Sequence, residues 1–207
     1  QFDQENYEIN FGQPQILDYV ATKWPRLTAS IIIFSPSLKL RELDLGQNLI
    51  EFISEAAFVS LGKLEVLHLD GNQLASVPSA DTLRPLAYTL LSLNLGQNAI
   101  QKLESEVFLP LKNLKSLNLT GASIVNISYD AFRGLSGNTG QHSGLQILSL
   151  ASNALDRFPN LGLLHRLQRL EIGGNFIEKI QALDLTGLSS LQVSLFFLEW
   201  SDWGSKG

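Results

Sequence analysis

The chain has 207 residues, 44% of them hydrophobic and 17% charged, with 15 Lys and Arg against 20 Asp and Glu. That is enough apolar sequence for one core or one short array of stacked units, and it excludes a disordered tail. A net charge of −5 without any Lys/Arg run argues against nucleic acid or anionic lipid as partner, no apolar run approaches the ~18 residues that span a bilayer, and the lack of cysteine excludes disulfides, thiolate metal sites and a thiol nucleophile.

Residues 1–39 begin at Gln1 with neither an initiator Met nor an apolar leader, which is expected of a processed chain or a fragment. Only a weak periodicity is visible there, at Ile16, Tyr19 and Ala21, and this stretch is expected to be a degenerate unit that caps the N-terminal end of a regular array. From residue 40 the pattern becomes regular. Leu40, Leu43, Leu45, Asn48 and Ile50 recur as Leu64, Leu67, Leu69, Asn72 and Leu74, then as Leu90, Leu93, Leu95, Asn98 and Ile100. Three more copies complete the series: Leu114, Leu117, Leu119, Ala122 and Ile124; Leu145, Leu148, Leu150, Asn153 and Leu155; Leu167, Leu170, Ile172, Asn175 and Ile177.

The alternation inside each copy predicts a short strand with its leucines inward, and no single copy can bury that face, so the copies must stack and pair into a parallel sheet. Asn48, Asn72, Asn98, Asn153 and Asn175 fall where each strand bends away. A buried amide there must be hydrogen-bonded, so these residues are expected to form a structural ladder through backbone groups of adjacent turns. Ala122 removes one rung and predicts unpaired backbone or an ordered water at that place. A second register, Phe34, Phe58 and Phe108 with Leu161 and Leu185, lies six residues before each leading Leu and predicts a spine along the opposite, convex side.

Successive ladder positions 48, 72, 98, 122, 153 and 175 are 24, 26, 24, 31 and 22 residues apart. This spacing, the LxxLxLxxNxL consensus and the segments around Ala57-Phe58 and Ala131-Phe132 resemble the leucine-rich repeat superfamily, in its "typical" 24-residue extracellular class. The whole is similar to chaoptin-like adhesion proteins and Toll-like receptor ectodomains. The resemblance implies a curved leucine-rich repeat solenoid: parallel β-sheet on the concave face, loops and short helical or 3-10 turns on the convex face. Residues 40–191 are then the array of about six regular repeats, with an insertion near 136–144, and residues 192–207 an irregular C-terminal tail. Families of this type close their ends with cysteine-containing caps, and with no Cys this chain is expected to be an internal portion of a longer ectodomain or a variant capped without disulfides.

Side chains at the x positions of each unit should line the concave face. Candidate partner-binding residues are Arg41, Glu42, Asp44, Glu65, His68, Asp70, Asn94, Lys115, Arg169 and Glu171, acidic towards the N-terminal end and without Trp, Tyr or Phe. The excess Gly/Ser/Asn-rich chain between Leu135 and Leu145 must loop out, either as a binding insertion or as a tolerated one. The aromatic tail Phe196, Trp200 and Trp203 reads either as an incomplete last repeat or as a partner-facing patch. Asn118-Leu-Thr120 and Asn126-Ile-Ser128 are candidate N-glycosylation sites.

His68, His142 and His165 lie in different repeats with no HExxH, triad or phosphate-loop motif nearby, so no catalytic, cofactor or metal residue is assigned; Asp44, His68 and Asp70 read as a solvated polar face rather than a chelate. The expected function is therefore extracellular or cell-surface recognition or adhesion, through a protein ligand or a homophilic partner, with no enzyme activity, no cofactor, no nucleic acid and no membrane insertion in this segment. An intracellular scaffold or regulatory subunit, to which the lack of cysteine points, and a homodimer through open ends remain the alternatives.

Overall fold

The structure, a computed structural model, describes residues 40–137 and 144–195 together with two short strands at 7–9 and 32–34. In chain order the strands are β1 (Tyr7–Ile9), β2 (Ile32–Phe34), β3 (Glu42–Asp44), β4 (Val66–His68), β5 (Ser92–Asn94), β6 (Lys102–Leu103), β7 (Ser116–Asn118), β8 (Asn126–Ile127), β9 (Ile147–Ser149), β10 (Arg169–Glu171) and β11 (Val193–Leu195). Seven of them form one parallel sheet in the order β3-β4-β5-β7-β9-β10-β11. The register is that of the repeat: Leu43 faces Leu67, Leu67 faces Leu93, Leu93 faces Leu117, Leu117 faces Leu148 and Leu148 faces Leu170.

The chain is thus one coil repeated along a single axis, a leucine-rich repeat solenoid with the strand leucines of its repeats in one column. Leu43, Leu67, Leu93, Leu117, Leu148 and Leu170 are buried, as are the closing Ile50, Leu74, Ile100, Ile124 and Leu155. Burying each such side chain contributes about 1.5–3 kcal/mol, and each is shared with the coils above and below.

Between strand and rung every coil turns sharply at one residue, Gln47, Gly71, Gln97, Gly121, Ser152 or Gly174, with φ between 52° and 69°. Three of these positions are glycine, which reaches this left-handed region without the Cβ penalty; the Gln and Ser at the others hold it against that penalty. The convex side carries a short helix at Ala80–Leu83, capped by the Ser79 hydroxyl on the Thr82 N–H at 3.2 Å, and 3-10 turns at Arg84–Leu86, Arg133–Leu135 and Ala182–Leu185.

Four places can be set beside the expectations of the repeat pattern. Phe34 lies in β2, which pairs with β1; Ile16, Tyr19 and Ala21 lie outside the described residues. Leu185 is 38% exposed and takes no place in the spine, whereas Phe58, Phe108, Leu161 and Phe132 are enclosed. Beyond residue 191, β11 pairs with β10 and sets Ser194 opposite Leu170; ladder pairing is made by backbone groups and does not require a leucine. Finally, the convex side holds a second small sheet, β6 paired with β8, that the leucine spacing does not announce. Of the insertion, residues 138–143 lie outside the described residues; its two ends meet where the Leu145 N–H donates to the Leu135 carbonyl at 3.0 Å. Phe196, Trp200 and Trp203 also lie outside them.

Candidate functional site: the concave face

In β3, β4, β5 and β7 the burial follows the alternation, one enclosed Leu between two half-buried side chains turned to the concave side. The N-terminal end of that face is a connected polar network. Arg41 is ion-paired with Glu65 across adjacent coils. His68 stands between Glu42, with Nε2 to Oε1 at 3.7 Å, and Asp70, with Nδ1 to Oδ1 at 3.9 Å. The Asn94 amide donates to Asp70 Oδ1 at 2.8 Å and the Gln47 amide to Asp70 Oδ2 at 3.3 Å. Asp44, Gly46, Gln47, His68, Asp70 and Asn94 enclose a shallow open hollow of about 280 Å³.

Some of these side chains are already occupied in holding the coil. Asp44 Oδ1 accepts from the Gly46 N–H at 2.8 Å, Asn94 Oδ1 from the Gly96 N–H at 3.1 Å and Asn118 Oδ1 from the Thr120 N–H at 2.9 Å. Each closes an Asx turn at the end of its strand, the local bond that a short Asp or Asn side chain makes with backbone two residues on. The remaining candidates Lys115, Arg169 and Glu171 stand apart from this network: Lys115 is half-buried, Arg169 exposed, and Glu171 accepts from the Ser149 hydroxyl. Two apolar side chains that the polar candidates leave out are placed outward by the same alternation, Val66 on β4 and Ile147, 37% exposed, on β9. Among the described residues no three His, Asp or Glu side chains are placed to hold a metal ion. His165 is bound through Nδ1 to the Gly187 carbonyl at 2.9 Å, a structural contact between successive coils.

Behind the face lies the asparagine ladder. Asn72 donates to the Leu69 and Leu45 carbonyls, both at 2.9 Å, and accepts from the Ile50 N–H at 3.0 Å. Asn98 repeats this with Leu95, Leu69 and the Leu74 N–H, Asn153 with Leu150, Leu119 and the Ile124 N–H, and Asn175 with Ile172, Leu150 and the Leu155 N–H. Asn48 donates to the Leu45 and Gly46 carbonyls. These residues are therefore wall, not contact surface. At Ala122 the rung is missing: among the described residues the buried Ile100 N–H and C=O have no partner, and Ser123 turns to φ 65° instead of donating back as Gln73, Ala99, Ala154 and Phe176 do.

On the convex flank, coil 4 (from Leu114) and coil 5 (from Leu145) are separated by an open groove of about 450 Å³ between β8 and residues 155–160. Tyr129, 79% exposed, and Val125, 55% exposed, stand on one side of it. On the other, the Arg157 guanidinium holds the exposed Asp156 carboxyl below the usual carboxylate range by hydrogen bond and charge.

Comparison with known proteins agrees with this geometry. The family model for leucine rich repeats matches residues 32–74 and 89–137. No curated protein matches the sequence. Among solved structures, the chain is similar to one in the crystal structure of a TLR13–ssRNA13 complex, with a TM-score of 0.69 and 27% identity over 82% of this chain and 25% of that one. It is also similar to one in the Toll–Spatzle complex from Drosophila, with a TM-score of 0.61 and 15% identity over 80% of this chain and 23% of that one, a likeness of fold alone. The chain spans about a quarter of the length of either structure.

Proposed function

Because this chain is a leucine-rich repeat protein that resembles Toll-like receptor ectodomains, we propose that it is an extracellular or cell-surface recognition module of a receptor or adhesion molecule, binding a protein partner without catalysing a reaction. The observation that carries this reading is the continuous seven-stranded concave sheet, whose outward side chains are mostly polar or charged. A rigid curved face of this kind, built from strands and not loops, holds contact groups in fixed relative positions at low entropic cost on binding.

The TLR13 structure is a complex with single-stranded RNA and the Toll structure a complex with Spatzle. For this chain a protein partner is favoured by charge: Glu42, Asp44, Glu65, Asp70 and Glu171 outweigh the cations on the concave face, and the whole chain carries −5. Phosphate-binding surfaces need the opposite balance. The second reading, an intracellular scaffold or regulatory subunit, is favoured by the absence of cysteine. No helix among the described residues is long and apolar enough to cross a membrane.

Three measurements test the proposal. Antibody against the chain should label unpermeabilised cells of the source organism; labelling only after permeabilisation selects the intracellular reading. A multimerised form of the chain, probed against purified extracellular protein domains, should find a binder that loses at least about tenfold affinity, or ~1.4 kcal/mol, when Glu42→Lys and Arg169→Glu are introduced together. A fluorescent single-stranded RNA at physiological ionic strength should not bind, and saturable binding would overturn the choice of a protein partner.

A further inference from the structure

We propose that Asn126 is a glycan-bearing residue of this protein and that Asn118, the other sequon, stays bare, so that the sugar stands on the convex flank and the concave face is left free. The inference deepens the extracellular reading and rests on it. The two sequons are eight positions apart in the same coil but meet opposite surroundings.

Asn118 lies in β7 near the middle of the seven-stranded sheet, with Asn94 in register on one side and Ser149 on the other. Parallel strands are ~4.8 Å apart, so a sugar on this amide would crowd the side chains in register on both sides. The side chain is half-buried, and its Oδ1 accepts from the N–H of Thr120, the residue that completes the sequon. Folding of this coil thus ties the Asn118 side chain to the backbone at Thr120.

Asn126 lies in β8, which is paired on one side only, with β6 of the preceding coil. Its other side faces the groove, because the next coil runs from Leu155 to Leu161 by a shorter path that includes Pro159 and cannot offer a continuous row of N–H donors. The Asn126 side chain is exposed and hydrogen-bonded to no described residue, while its backbone is held by its N–H on the Gln101 carbonyl and by the Ser128 N–H on the Leu103 carbonyl. Beside it the groove of about 450 Å³ offers Val125 and Tyr129, an apolar patch of the size and aromatic character on which the C–H faces of the first sugars pack. The linkage forms with loss of one amide hydrogen from Asn126 Nδ2 and departure of the lipid-pyrophosphate carrier from the sugar, so it needs only the dolichol-linked donor of the secretory pathway.

The test uses the full chain secreted from animal cells behind a cleavable leader, which makes entry to the pathway independent of where the native protein resides. Intact mass before and after peptide:N-glycosidase F should differ by one glycan, and deglycosylation in heavy-oxygen water should label position 126 and not 118 in the wild-type protein, without any substitution. Asn126→Gln, or Ser128→Ala if the first is not secreted, should abolish the mass shift, and Asn118→Gln should leave it unchanged. A label at 118, two glycans, or a secreted wild-type chain without any glycan each overturns the assignment. Extracellular residence itself fails by a separate result, the absence of surface labelling on native cells.

Discussion

The junction between coils 3 and 4 is built differently from the other junctions among the described coils. Where coil 2 meets coil 1, coil 3 meets coil 2, and coils 5 and 6 meet their predecessors, a buried asparagine amide bridges two carbonyls and one N–H close behind the concave strands. Coil 4 has Ala122 instead, and there the ties lie on the convex flank. Phe108 and Phe132 stack across this junction with centroids 6.0 Å apart and planes within 4°, β6 pairs with β8, Ser105 bonds Asp130 at 2.8 Å, and Arg133 reaches Glu106 at 2.7 Å. Cohesion between repeats is therefore transferable from one wall of the coil to the other. The leucine column is common to all junctions; what varies is which wall carries the remaining ties, and at this one the Ile100 N–H and C=O are left without a partner among the described residues.

Substitutions can break or sharpen that contrast. The largest effect is expected from Phe108→Ala, about 4 kcal/mol of unfolding free energy, read as a lowered urea midpoint. Phe58→Ala, an equally enclosed ring without a stacked partner among the described residues, should cost about 1 kcal/mol less, the usual worth of an aromatic pair beyond its burial; equal losses would remove the stack from the account. Asn98→Ala opens a second gap while the convex ties stay unchanged, and should cost about 3 kcal/mol because a buried N–H and carbonyls lose their partner together. Ala122→Asn should add about 1 kcal/mol by offering the Ile100 N–H an acceptor; destabilisation instead would show that the left-handed Ser123, and not the missing amide, sets the shape of this junction. The smallest effect is expected from Glu42→Lys, within about 0.5 kcal/mol in stability, since that side chain serves no turn or rung.

Repetition makes most of this legible from sequence. A six-fold pattern over-determines strand positions, which is why the register of β3, β4, β5, β7, β9 and β10 agrees with the leucine alignment residue by residue. Features without repetition escape it. The pairing of β6 with β8 depends on backbone directions in segments whose residues, Lys102-Leu103 and Asn126-Ile127, share no pattern. Leu185 fits the spine by spacing yet is exposed, because burial depends on a neighbour that spacing does not report. For the concave face, alternation supplies direction but not occupation: Asp44, Asn94 and Asn118 point to the concave side, and only geometry shows their carboxylate and amide oxygens spent on Gly46, Gly96 and Thr120. Val66 and Ile147 escape for a simpler reason, that apolar residues in a leucine-rich pattern are read as core.

Those Asx turns also limit how such a surface can acquire a new ligand. Of the two outward columns along the sheet, the one carrying Asp44, Asn94 and Asn118 is tethered to the curvature of the coil, so exchanging its letters alters scaffold and contact together. The other column, Glu42, Val66, Ser92, Ser116, Ile147 and Arg169, already spans acid, base, hydroxyl and aliphatic chemistry on one backbone. Diversification confined to that line is expected to change the chemistry the concave face presents while leaving its curvature intact.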